Sequence, residues 1–126
     1  MIEAYFEEIR DILESLTIVR TFEIYFQKRD IDEGFIRGNI YFVNGSIFHF
    51  REFVSVQTIT ERKMYSYHYM DASNNLIFRY DNAEHHQELN LPTFPHHKHE
   101  GREDNILSSN APTFAEILEE IQRMLE

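Results

Sequence analysis

The chain contains no cysteine, which excludes disulfides, thiolate metal sites and a cysteine nucleophile and leaves an intracellular setting open. It has no apolar run approaching the length that spans a bilayer. Its first residues, "MIEAYFEEIRDILESL", are acidic and amphipathic where a secretory signal would carry a basic stretch followed by an apolar one. A soluble cytoplasmic protein with no membrane partner is the expectation. Basic residues are scarce as well: 12 Lys and Arg stand against 22 Asp and Glu, a formal net charge of −10, which argues against non-specific adhesion to nucleic acid or anionic lipid. Internal repeats, low-complexity tracts and coiled-coil heptads are also missing. The length, 126 residues, suits one domain over 1–126 with a core that needs no staples.

What is present is unevenly placed. Residues 1–16 carry five acids against one arginine, and residues 101–126 carry six acids against two arginines. Each end therefore contributes −4 and the intervening chain only −2. A polyanion can approach the middle of the chain if folding keeps the two ends on another face.

Ile2, Phe6, Ile9, Leu13 and Leu16 recur at three- and four-residue spacing, with Glu3, Glu7, Asp11 and Glu14 off the stripe, which predicts an amphipathic helix. From residue 17 the period becomes two. Phe22, Ile24 and Phe26 define one strand, and Ile36, Gly38, Ile40 and Phe42 a second. Asn44-Gly45 then predicts a tight hairpin with positive φ at both central positions. "SIFHFREFVSV", "RKMYSYHYMD" and "LIFRYD" read as strands three to five, the last after the turn "ASNN". About thirty residues rich in His, Asn, Pro and Glu follow Asp81, a loop length that usually signals function or disorder. Thr113 and Glu116 form a capping pattern ahead of a second helix, with Phe114, Ile117, Leu118, Ile121 and Leu125 as its buried stripe. The expected fold is α+β: a five-stranded antiparallel sheet with the N-terminal and C-terminal helices packed on one face. The other face would display Tyr25, Arg37, Tyr41 and members of the Tyr65, Tyr67, Tyr69 row.

Five of the seven histidines fall in residues 84–102, "EHHQELNLPTFPHHKHEGR". His97 and His99 in an extended segment point the same way, and Asp81, His85 or His86 can complete a metal set, but the spacing matches no zinc-finger, zincin or facial-triad signature. Metal-free acid–base chemistry is the second reading. Ribonucleases acting through the 2′-OH need a base, an acid and a cation for the phosphorane, roles suited to His and Lys or Arg. Arg79, Asp81, His96, His97, Lys98, His99 and Arg102 offer such groups, and Tyr67, Tyr69 and Tyr80 offer rings on which a base can stack. The blander alternative is a structural loop in which Pro92 and Pro95 fix an extended path. His49 and His68, inside strands, read as satisfied edge or core residues, and Arg62-Lys63 as a solvated turn.

"FRYDNAxHH" followed by "LPTFPHHKH", within the stretch from about residue 64 to the C-terminus, resembles the TumE-like toxin components of prokaryotic toxin–antitoxin pairs. Matching positions are Tyr67, His68, Tyr69, Arg79, Tyr80, Asp81, Asn82, His85, His86, Pro92, Phe94, Pro95, His96, His97, Lys98 and His99. "DASNN" stands where a tighter Asp/Gly turn is common, and "QELN" lengthens the spacer before "LPTFP". The resemblance implies a toxin encoded beside a protein antitoxin, typically a helix-turn-helix DNA-binding repressor, and carries no established mechanism.

Together these features lead to a toxin acting as a metal-independent ribonuclease without cofactor. In it His97 or His99 is the base and the other the acid, Arg79 and Lys98 hold phosphate oxygens and Asp81 orients an imidazole. His96 joins this catalytic set, and Tyr67, Tyr69, Tyr80, His85 and His86 bind substrate. A non-catalytic module gripping a protein partner is the alternative, and a zinc-dependent hydrolase the next. Exposed aromatic strands leave room for a homodimer.

Overall fold

The computed structural model describes residues 1–84, 89 and 91–126; His85 and His86, expected to touch substrate, lie outside the described residues. The chain begins with α1 (Ile2–Ser15), passes through β1 (Val19–Asp30), β2 (Glu33–Phe42), β3 (Ile47–Ser55), β4 (Glu61–Met70), β5 (Leu76–Asp81), β6 (His97–Glu100) and β7 (Ile106–Ser108), and closes with α2 (Phe114–Met124). The strands form one sheet in sequence order, with every neighbouring pair antiparallel.

The sheet has seven strands, which corrects the expected five. The two extra strands come from the stretch after Asp81 that was expected to be a loop. His97–Glu100 pairs with Phe78–Asp81, and Ile106–Ser108 pairs with His97–His99. "HKHE" alternates polar with polar, so it carries no hydrophobic period by which a strand can be recognised.

Both helices cover the same sheet face, as expected. Ile2, Phe6, Ile9 and Leu13 of α1 and Phe114, Ile117, Leu118 and Ile121 of α2 are buried against Ile36, Ile40, Phe42, Phe48, Phe50 and Val54. Phe114 seats its ring 4.7 Å from Phe50, and Phe6 stacks 4.7 Å from Phe26. Gly34 lies beneath α1, where a Cβ would stand 2.6 Å from Phe6 Cζ and 3.0 Å from the Gln27 carbonyl. The capping box forms as expected: Thr113 Oγ1 accepts from Glu116 N, and the Glu116 carboxylate accepts from Thr113 N.

The Tyr65, Tyr67, Tyr69 row faces the helices, not solvent, at 1%, 0% and 1% exposure. Tyr67 and Tyr69 therefore offer no platform for a base, whereas Tyr25, at 54% exposure, stays on the open face. Tyr80, at 8%, is buried too and donates to the Glu120 carboxylate of α2. Two charged side chains, Glu52 and Arg62, pin this interior. Glu52, fully buried, accepts from the hydroxyls of Tyr5 in α1 and Tyr67 in β4. Burial raises the Glu52 pKa, while the two hydroxyls and Arg62 pull the other way. Arg62 donates to the Tyr67 hydroxyl and to the carbonyls of Ala111 and Pro112 just before α2, and lies 4.5 Å over the Tyr65 ring. It is a strap between sheet and helix, whereas a solvated turn was expected.

At the β2–β3 hairpin only Gly45 takes a positive φ, +86°. Asn44 instead uses its side chain, accepting from Ser46 N and the Ser46 hydroxyl, which closes the turn without a left-handed Asn. Among the described residues no helix is long and apolar enough to cross a membrane.

Candidate functional site

Side chains alternate across a sheet, so the positions between the core residues all point to the face that the helices leave open. Antiparallel pairing then lines them up in two cross-strand rows. One row runs Glu23, Asn39, His49, His68, Arg79, His99, and the next runs Tyr25, Arg37, Arg51, Ser66, Asp81, His97. Arg37, Arg51, Lys63 and Arg79 thus share one surface within a chain of net charge −10. Two shallow depressions run along this face and share Arg51, Ser66 and His68.

His49 and His68, whose rings lie 6.4 Å apart, sit directly opposite each other on β3 and β4 at partial exposure. His49 Nδ1 faces Asn39 Oδ1. A carboxamide oxygen only accepts, so Nδ1 carries the proton and Nε2 the lone pair. Burial lowers the pKa of His49. Burial, followed by the neighbouring Arg79 charge, does the same to His68. Both rings are therefore held toward the neutral form. Neither was singled out by sequence reasoning as a functional residue. The signal that finds them is cross-strand register, which juxtaposes His49, His68 and Arg79.

Arg79 is fixed on three sides. Its Nε donates to Asp81 Oδ2 at 3.1 Å, Nη1 reaches the Glu103 carboxylate at 2.8 Å, and Nη2 donates to His99 Nε2 at 3.0 Å. His99 Nδ1 lies 2.7 Å from the Glu103 carbonyl, and His97 Nδ1 lies 3.0 Å from the Pro95 carbonyl. Carbonyls only accept, so in both rings Nδ1 holds the proton and Nε2 faces Asp81. His97 Nε2 is 2.8 Å from Asp81 Oδ1, and His99 Nε2 is 3.9 Å from Asp81 Oδ2. Burial chiefly lowers the His99 pKa, with Arg79 and His97 acting in the same direction against the Glu103 carbonyl. Asp81, His97 and His99 are 6%, 2% and 1% exposed, and one donor atom from each lies within 4.8 Å of the others.

Of the residues singled out from sequence, the fold thus gathers Arg79, Asp81, His97 and His99. It does not bring His96 or Lys98 to them. His96 bonds the Tyr65 hydroxyl at 2.7 Å and stacks on that ring, a position belonging to the helix-covered side. Lys98 alternates away from its two histidine neighbours, placing Nζ 5.0 Å over the Tyr80 ring and 3.7 Å from Glu120 of α2. Arg102 is exposed beside Asp104.

The family model for "Toxin TumE" matches residues 8–125. The chain belongs to the TumE toxin family. This bears out the resemblance drawn from "FRYDNAxHH" and "LPTFPHHKH" and extends it over nearly the whole chain. No match to a curated protein or to a solved structure was found. Family membership makes the chain a toxin of the toxin–antitoxin kind and implies an antitoxin partner. In this toxin the "FRYD" and "HHKH" segments are adjacent strands, β5 and β6, whose outward residues end the two open-face rows.

Proposed function

We propose that the toxin is a ribonuclease that lays RNA across the open sheet face and cleaves it through His49 and His68. Supporting this is the cross-strand row His49, His68, Arg79, with Arg51 and Arg37 in the row beside it. Arg51 and Arg79 hold the non-bridging oxygens of the scissile phosphate. His49, neutral with a lone pair on Nε2, removes the 2′-OH proton as O2′ attacks phosphorus. His68, returned to its cationic form by the incoming phosphate charge, protonates the departing O5′. The P–O5′ bond breaks and the products are a 2′,3′-cyclic phosphate and a 5′-hydroxyl. The chemistry as drawn needs only side chains.

This reading keeps Arg79 and Asp81 from the set expected on sequence and moves acid–base work to the exposed imidazoles. His97 and His99 are too buried for RNA to reach and act as positioning residues: with Asp81 they set the guanidinium of Arg79. An antitoxin, taken to be a helix-turn-helix repressor, silences the toxin.

The test uses trace purified toxin on labelled RNA. Wild type should generate cyclic-phosphate ends over many turnovers, and His49→Ala and His68→Ala, each shown to be folded, should lower the rate by about 100-fold or more, the lower end for a lost general acid or base. Stoichiometric RNA binding without new ends would instead support a non-catalytic binding module. Full activity in both folded variants sinks the assignment.

A further inference from the structure

We propose that Asp81, His97 and His99 form a binding site for one divalent transition-metal ion of the zinc class. The backbone builds the site before any ion arrives. Strand alternation puts His97 and His99 on one side of β6, and the β5–β6 register sets Asp81 directly opposite His97. The Nε2–carboxylate separations of 2.8 and 3.9 Å bracket the roughly 3.4 Å that separates two donors each about 2.1 Å from a tetrahedral ion. Two imidazoles and a carboxylate are a donor set suited to Zn²⁺ and its neighbours.

A second observation concerns the far side of each ring. Metal-bound histidines characteristically give their other N–H to a carbonyl or carboxylate, which fixes both tautomer and ring orientation. Both rings do so here, His97 to the Pro95 carbonyl and His99 to the Glu103 carbonyl. Nε2 of each ring is thereby turned to the Asp81 side, in a site that excludes most solvent. Two imidazole nitrogens and a carboxylate converging in such surroundings favour a positive charge between them. Arg79 is the competitor: its Nη2 uses the His99 lone pair and its Nε uses Asp81. An ion bound to His99 takes that lone pair from Arg79.

An ion here meets the ribonuclease reading only through Arg79, whose partners it shares; the acid–base chemistry on His49 and His68 draws nothing from it. The experiment takes the full chain, stripped with a chelator and dialysed, and titrates it with Zn²⁺ by calorimetry and with Co²⁺ by visible absorption. One ion per chain should bind, with a tetrahedral Co²⁺ band, and Zn²⁺ should raise the melting temperature of the wild type. Asp81→Asn and His97→Gln should each weaken binding at least tenfold, Arg79→Ala should tighten it, and His96→Ala should leave it unchanged. The wild-type melting shift serves as the readout if either ligand variant fails to fold. No saturable uptake and no melting shift in folded wild type would overturn the site, as would wild-type affinity in folded Asp81→Asn and His97→Gln. RNA cleavage by chelated toxin is scored separately. Metal binding without cleavage removes only the ribonuclease reading, and cleavage without metal binding removes only this one.

Discussion

At the scale of single residues, the proposed ribonuclease chemistry makes His49 the group that limits activity at low pH. The base must be neutral to accept the 2′-OH proton, and burial lowers its pKa from the ordinary histidine value of about 6.5. Because burial and the Arg79 charge likewise lower the pKa of the acid, His68, kcat/KM should follow a bell centred below the ordinary histidine value, falling on the acid side as His49 gains a proton and on the alkaline side as His68 loses one. Asn39→Leu, which removes the Nδ1 partner, should reduce the rate while leaving the low-pH limb in place; a pH–rate profile of both proteins checks this. Glu52 has a structural part of a different kind. Replacing it with Ala leaves the buried Tyr67 hydroxyl and the Arg62 charge without their carboxylate. Loss of one partner from a buried charged network costs about 3–5 kcal/mol. Glu52→Gln retains an acceptor and should cost less, and denaturant melts of the two variants would rank them.

At the scale of elements, legibility in the sequence followed the presence of a period. The two helices were legible because apolar residues recur every three or four positions, and Thr113-x-x-Glu116 marked the start of α2. Strands one to five were legible because hydrophobes alternate with polar residues. β6 and β7 were not, because His97, Lys98, His99 and Glu100 offer no apolar alternation and become a strand only through pairing with β5. The same gap hid the site. Sequence neighbours on "HHKH" looked like one cluster, yet alternation sends Lys98 toward Glu120 and leaves His97 and His99 on the open side. Conversely, His49, His68 and Arg79 are far apart in sequence and adjacent only by register. The Tyr65, Tyr67, Tyr69 row carried a usable sign, since Ser66 and His68 are the more polar of the two alternating sets and so belong outside. The seating of α1 yields a prediction at this scale. Gly34→Ala pushes a methyl to 2.6 Å from Phe6 Cζ, overpacking of a kind that costs about 1–3 kcal/mol. The melting midpoint should fall while RNA cleavage below the transition stays unchanged, since Gly34 lies on the helix-covered side.

At the scale of the whole molecule, charge is sorted by face. Glu3, Glu7, Glu8, Asp11 and Glu14 ride on α1, and Glu116, Glu119 and Glu120 on α2, whereas the open sheet sets Arg37, Arg51, Lys63 and Arg79 among Glu23, Glu33, Asp81 and Glu103. Two phosphates, the scissile one held by Arg51 and Arg79 and a neighbour held by Arg37, should make the logarithm of RNA affinity fall with the logarithm of salt at a slope of about −1.4, from about 0.7 per phosphate on a single strand. Arg37→Ala should bring the slope down by about 0.7, measured by filter binding of a non-cleaved RNA from low to physiological salt. A slope near zero would detach RNA from this face.

The sorting also makes the molecule an electric dipole, strongly negative over the helices and close to balance over the bare sheet. A polyanion nearing it from any side exerts a torque before it exerts a net pull, turning the helices away and the sheet toward itself. Net repulsion and correct presentation are thus properties of one charge arrangement: if RNA is the substrate proposed, it is held off at long range, and those encounters that do close arrive with the imidazoles already facing the strand.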